Sequence, residues 1–369
     1  MYIAIAAVTI LLSAGLTALL VPVARALAVR ADLVAQPGAH RAHERPTPLG
    51  GGPAMLLAIA LPSLLAAGLA CVWAARPDPA RLAGPSWLPV SVRIHIPGAA
   101  MRAPMALVLL AGAGGLCVLG LIDDRHRLGP WSKLAGQALI AIAVVVLANV
   151  RILTVAGEPI SMIVSVLWIV AVVNALNFMD NADGLAAGVT LICAAALLAA
   201  AAGIGQLFVA GWLCLLIGAA AGFLAYNFPP ASIFMGDAGS LVLGYFLAVL
   251  SMLTTYYDPA RSISRVYGVL APLVLLAVPL YDTASVMLIR LRERRHPMVG
   301  DRRHFSYRLL DRGMSVRQAV LTIYLCTAVT AVAAVLLPHV PDWAAWLIAG
   351  QTLGVLGIIA LLESTDQPT

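Results

Sequence analysis

Apolar blocks of roughly twenty residues, the length a helix needs to cross a bilayer, recur along the chain between short polar segments. The pattern predicts eleven spans: 2–23, 53–74, 104–122, 134–150, 160–178, 184–202, 206–226, 238–254, 268–289, 318–337 and 343–362. The fourth is short, and the fifth and sixth are parted only by the stretch N-A-L-N-F-M-D-N-A-D-G-L at 174–185. That stretch crowds Asn174, Asn177, Asp180, Asn181 and Asp183 at the mouth of an apolar helix, where polar side chains are costly. The first block opens M-Y-I-A-I-A without a basic leader and runs into V-P-V-A-R, which reads as an anchor rather than a cleaved signal. No internal repeat or low-complexity tract divides the chain, so residues 1–369 are read as one integral-membrane domain.

Composition narrows the class. The chain is 62% hydrophobic and 11% charged, against about 25% charged in soluble domains, too few charges to cover a globule in water. The expected fold is all-α, a polytopic membrane protein with about eleven (ten to eleven) transmembrane helices. The net charge of +6 fits basic loops against anionic headgroups rather than nucleic acid. Five cysteines (Cys71, Cys117, Cys193, Cys214, Cys326) fall in or beside apolar runs without C-x-x-C spacing and read as packing residues. Loops after odd-numbered spans carry sixteen Lys and Arg residues, those after even-numbered spans seven. The positive-inside rule then puts the N-terminus outside, the C-terminus inside and the odd loops in the cytoplasm.

Four polar clusters fall on that cytoplasmic side: G-L-I-D-D-R-H-R-L-G-P-W-S-K (120–133), the stretch at 174–185, Y-N-F-P-P-A-S-I-F-M-G-D-A-G-S (226–240), and R-E-R-R-H-P-M-V-G-D-R-R-H-F-S-Y-R-L-L-D-R-G (292–313). One site built on loops at about 24–52, 123–133, 179–183, 227–237 and 290–317 is the economical reading. Asp123 and Asp124 are adjacent carboxylates, which resist joint ionisation unless a cation intervenes; the plain alternative is a solvated loop beside Arg125. Asp237, between Gly236 and Gly239, has a plain reading as a helix N-cap. With Asp180 and Asp183 these acids form an oxygen-donor set suited to Mg2+ or Mn2+. Zinc would want Cys or His at spacings that do not occur.

His304 lies among Arg302, Arg303 and Arg308, so an anion held by arginines could meet an imidazole there. A positive-inside anchor explains part of that run, but not Gly300, Asp301, His304 and Gly313 within it. Acids with a metal beside a basic pocket describe phosphate chemistry, and the apolar surroundings imply a lipid substrate. Asp282, in V-P-L-Y-D-T-A-S, falls within the ninth span; function and a hydrogen bond to a neighbouring helix are both open to it.

With these residues in view the chain resembles the polyprenyl-phosphate N-acetylaminosugar-1-phosphate transferases. The likeness runs from H-R-A-H-E-R-P-T-P-L-G-G-G (40–52) to R-G-M-S (312–315), through Asp-Asp with Lys133 and Gln137, then N-x-x-N-x-x-D-x-x-D-G-L, then F-M-G-D-x-G-S-x-x-L-G. The resemblance implies Mg2+-dependent transfer of a phospho-sugar, GlcNAc-1-phosphate above all, from a UDP-N-acetylamino sugar to undecaprenyl or another polyprenyl phosphate. UMP would be released in a first membrane step of cell-envelope polysaccharide synthesis. It implies a plasma-membrane enzyme with its site facing the cytoplasm, and it allows a homodimer. It places the metal on Asn177 and Asp237, the lipid phosphate by Asp123, and further required acids at Asp124, Asp180 and Asp183. Lys133 would neutralise phosphate and His304 would lie on the diphosphate or sugar side. His43, Asn174, Asn181, Arg302, Arg303 and Arg308 complete the substrate-binding set. Direct displacement and an aspartyl-phosphate intermediate are both compatible with it.

The chain also departs from the family pattern. Asn181 stands where a glycine with positive φ is expected; continued as a helix, Asn174, Asn177 and Asn181 would share one narrow face. His304-Phe305-Ser306-Tyr307 replaces H-x-H-H, and Gln36 replaces an acid. The reduced histidine set points to the GlcNAc branch over phospho-MurNAc-pentapeptide translocases. The rivals are a transporter, which calls for acids at mid-bilayer, and an inactive scaffold relative.

Overall fold

The computed structural model describes residues 1–36, 46–75, 83–154, 157–254, 270–294, 296 and 303–364. Helix α1 (Tyr2–Arg30) runs past the expected end of the first span and leads to a two-stranded antiparallel ribbon, β1 (Val34–Ala35) with β2 (Thr47–Pro48). Then come α2 (Gly51–Ala74), the short α3 (Val90–Arg93), α4 (Ile96–His126), α5 (Pro130–Leu147), α6 (Glu158–Met179), α7 (Leu185–Gly203), α8 (Leu207–Asn227) and α9 (Gly236–Leu253). The chain continues through α10 (Ala271–Leu275), α11 (Ala277–Arg292), α12 (Phe305–Leu310), α13 (Val316–Leu336) and α14 (Asp342–Ser364). Ten helices among the described residues are long and apolar enough to cross a membrane.

The expected ninth span is the exception. It is broken into α10 and α11 at Leu276 (φ −98°, ψ 19°). Pro279 has no N–H to give the carbonyl four residues back, at Leu275, so the helical ladder fails there.

Helix α9 is the axis of the bundle, packed by α2, α4, α6, α7 and α8 and buried along its length from Ala238 to Met252. A helix apolar on every side belongs in an interior. Its polar neighbours are satisfied: Tyr245 OH donates to the Leu109 carbonyl at 3.1 Å and Trp168 Nε1 to Ser251 Oγ at 3.1 Å. Helices meet α9 at glycine. A Cβ on Gly52 would lie 2.4 Å from the Gly239 nitrogen, and one on Gly120 2.3 Å from the Ala238 nitrogen. In membranes such small residues let backbones approach where apolar side chains gain little from avoiding lipid. The β ribbon joins the same end of the bundle, through a parallel bridge between Leu49 and Phe234.

Candidate active site

The α4–α5 connection sets the first geometry. Helix α4 ends on Arg127 in the left-handed region (φ 48°), whose N–H bonds the Asp123 carbonyl at 2.8 Å. Pro130 then opens α5, as proline can at a first helical position, and the tight turn brings Lys133 back to Asp123. The Leu128 N–H donates to Asp123 Oδ1 at 2.6 Å, and Lys133 Nζ lies 2.9 Å from Asp123 Oδ2. The same ammonium bonds Asn177 Oδ1 at 3.2 Å and pairs directly with Asp237 Oδ2. Asn177 Nδ2 donates to Asp237 Oδ1 and to Ser240 Oγ, both at 2.9 Å. The ends of α4 and α6 and the starts of α5 and α9 therefore meet on one cation.

Asp124 faces elsewhere. Its carboxylate accepts the Asp237 N–H at 3.0 Å and the Ala238 N–H at 3.4 Å. It thus caps α9, whose own N-cap residue, Met235, makes no side-chain cap. The capping expected of Asp237 is supplied from another helix, and Asp237 is left facing Lys133. Gly236 takes φ 67°, and a Cβ there would lie 2.4 Å from Asp124 Oδ2; only glycine suits both demands.

Asp183 Oδ2 accepts the Ala231 N–H at 2.8 Å, tying the turn before α7 to the α8–α9 loop. Asn227, given no role by the sequence, bridges the same elements. It accepts from Gly184 N at 3.0 Å and donates to the Ile233 carbonyl at 2.9 Å. Its place in Y-N-F-P-P, at a helix end next to a proline pair, was the available signal. Asp180 closes α6 and its carboxylate makes no hydrogen bond among the described residues. Part of its surface is open, yet protein surrounds the carboxylate. Burial, then the charges of Asp237, Asp124 and Asp183, hold it well above the usual carboxylate range.

The donor chemistry fits a hard divalent ion. Among the described residues no three His, Cys, Asp or Glu side chains gather as a metal set. The oxygens that converge on Lys133 are instead two carboxylates and an amide carbonyl. Mg2+ characteristically takes few protein ligands and completes its shell with phosphate and water.

The other expected residues divide. Asn174 turns from the cluster to Gln137, donating to its Oε1 at 2.5 Å, and to the Val170 carbonyl at 2.8 Å. Helix α6 ends at Met179, so Asn181 does not share its face, and Asn181 is absent from the positive-φ residues; Gly184 (φ 78°) takes the left-handed turn instead. Asn181 Nδ2 donates to the Phe178 carbonyl at 2.6 Å and its Oδ1 accepts from Ser306 Oγ. Two of the departures from the family pattern thus touch each other. His304 (6% exposed) sits edge-on to Phe178, ring centroids 5.5 Å apart. Arg303 pairs with Glu293, and Arg308 donates to Ser285 Oγ at 2.9 Å. His43 and Arg302 lie outside the described residues.

Because the Asn181–Ser306 bond ties α12 to the acidic turn, Asn181→Gly and Ser306→Ala should each lower kcat/KM about 2- to 10-fold, the worth of one hydrogen bond. The double variant should be no worse than the poorer single. Unchanged kcat/KM in Asn181→Gly would make the pair incidental.

A family model described as Glycosyl transferase family 4 matches residues 106–255, which hold every member of the Lys133 cluster. A probable undecaprenyl-phosphate N-acetylglucosaminyl 1-phosphate transferase of Bacillus subtilis is 29% identical over 354 residues, 94% of this chain and 88% of the relative. A decaprenyl-phosphate N-acetylglucosaminephosphotransferase of Mycolicibacterium smegmatis is 34% identical over 333 residues, 83% of this chain and 76% of its own. An undecaprenyl-phosphate alpha-N-acetylglucosaminyl 1-phosphate transferase of Escherichia coli is 29% identical over 256 residues, 65% of this chain and 68% of its own. A charged cluster at converging helix ends, the matched segment around it and relatives aligned over most of their length agree: the chain belongs to glycosyl transferase family 4, among the polyprenyl-phosphate N-acetylaminosugar-1-phosphate transferases.

Proposed function

We propose that this protein transfers GlcNAc-1-phosphate from UDP-GlcNAc to a polyprenyl phosphate and releases UMP. The observation that carries the reading is the meeting of Asp123, Lys133, Asn177 and Asp237 at the converging ends of four largely apolar helices. A lipid phosphate and a nucleotide diphosphate can meet at such a boundary. The names of the relatives supply the sugar and the lipid.

In this reading an oxygen of the polyprenyl phosphate bonds the β-phosphorus of UDP-GlcNAc, and the bond from that phosphorus to the bridging oxygen breaks, so UMP leaves. The nucleophile is already an oxyanion, so the protein has chiefly to position and neutralise. Lys133 balances phosphate charge and Asp123 orients the lipid phosphate. Asp124 acts at one remove, since capping α9 holds Asp237 in place. Asn177 and Asp237 would hold Mg2+ (or Mn2+), which would neutralise the diphosphate. Asp180 stands beside them as a carboxylate short of counter-charge, and Asp183 fixes the turn that carries it. Arg303, His304 and Arg308 lie on the diphosphate and sugar side. The excess of Lys and Arg in the loops on this side supports a site on the cytoplasmic face of the plasma membrane.

Purified protein given UDP-GlcNAc, undecaprenyl or decaprenyl phosphate and Mg2+ should release UMP only when both substrates are present. Absence of UMP with every UDP-N-acetylamino sugar would overturn the reading.

A further inference from the structure

Asp282 is an acid at 2% exposure that the chemistry above does not use. Both of its oxygens are engaged by the segment that carries the basic residues. Oδ1 accepts the Phe305 N–H at 2.7 Å, and Oδ2 lies 2.9 Å from His304 Nδ1. Arg308 approaches Oδ1 at 3.7 Å while bonding Ser285 three residues along α11 from Asp282. The imidazole is held from a second side by the edge-on ring of Phe178, and Arg290 covers that ring at 5.6 Å. His304 Nε2 makes no hydrogen bond among the described residues.

We propose that Asp282 is a positioning residue for His304. A carboxylate that takes Nδ1–H fixes the ring orientation and the tautomer, so Nε2 is left as the working nitrogen. The same carboxylate, through Phe305, starts α12 at a set height over the end of α6. There Ser306 reaches Asn181, next to Asp180, and His304 lies against Phe178, next to Asn177. Asp282 thereby sets where the imidazole stands relative to the acidic cluster. The proposal rests on the reading of His304 as a substrate-facing residue.

The test compares Asp282→Asn, His304→Ala, His304→Asn and the Asp282→Asn/His304→Ala double variant by membrane yield, KM for both substrates and kcat. Asp282→Asn should lower kcat about 10- to 100-fold, the usual effect of losing such a supporting partner, with both KM values within about twofold. In the His304→Ala background it should change kcat by less than about twofold, because residues acting as one unit are not additive. His304→Asn keeps an N–H near the Nδ1 position but has no Nε2, and should be as impaired as His304→Ala at normal yield. This variant decides the matter if Asp282→Asn fails to accumulate. Equal losses in both backgrounds, a raised KM with kcat retained, or an active His304→Asn would overturn the proposal. Near-normal turnover in His304→Ala would instead remove His304 from the site, and the proposal with it; that arm separates the two failures.

Discussion

Asp237→Asn should abolish turnover, by about 1,000-fold or more, the scale set by losing one preorganised charge-stabilising group. The substitution is isosteric, so its effect isolates charge. Asp237 pairs with Lys133 through Oδ2 and accepts from Asn177 through Oδ1. An amide could keep the second bond, but would turn an N–H toward the ammonium and would bind a divalent ion poorly. Insertion and folding should survive, because the start of α9 is capped by Asp124 through the backbone of Asp237 and Ala238. Normal membrane yield with lost turnover is the expected pair of results. Turnover within a few-fold of wild type would remove Asp237 from the centre of the site.

Lys133→Met carries the second large effect, on activity and on stability together. The ammonium balances Asp123 and Asp237, with side chains 14%, 13% and 27% exposed respectively. Removing it leaves two carboxylates facing each other, a loss of about 3 kcal/mol on the scale of breaking a largely buried pair. Turnover should fall about 100- to 1,000-fold, and added Mg2+ should not restore it, since phosphate loses a partner as well. In chelator the variant should melt below wild type. An unchanged melting temperature would mean that the cluster is more open to water than its geometry indicates.

The helix pattern was legible because span length and apolarity are properties of single segments. The interruption of the ninth span was less legible, because apolar content hides a backbone fault: Pro279 within V-P-L-Y-D is the signal of the break between α10 and α11. The central place of α9 was not legible, since every span is apolar and only contacts distinguish an interior helix from a lipid-facing one. For Asp123 and Asp124, residue type pointed to the site but not to the division of labour. Adjacent helical residues point about 100° apart, which is why one reaches Lys133 and the other α9. Asn181 was grouped with Asn174 and Asn177 by extending a helix that stops at Met179. The partners of Asp282 were beyond sequence, because they come from a segment more than twenty residues away.

A phospho-sugar, not a sugar, should move from nucleotide to lipid at this cluster. UDP-GlcNAc labelled in its β-phosphate, incubated with purified protein, polyprenyl phosphate and Mg2+, tests it most directly. The label should enter the lipid fraction with one UMP formed per labelled lipid, and neither product should form with Asp237→Asn. Label remaining in UDP while the sugar reaches the lipid, or no transfer at all, would contradict it.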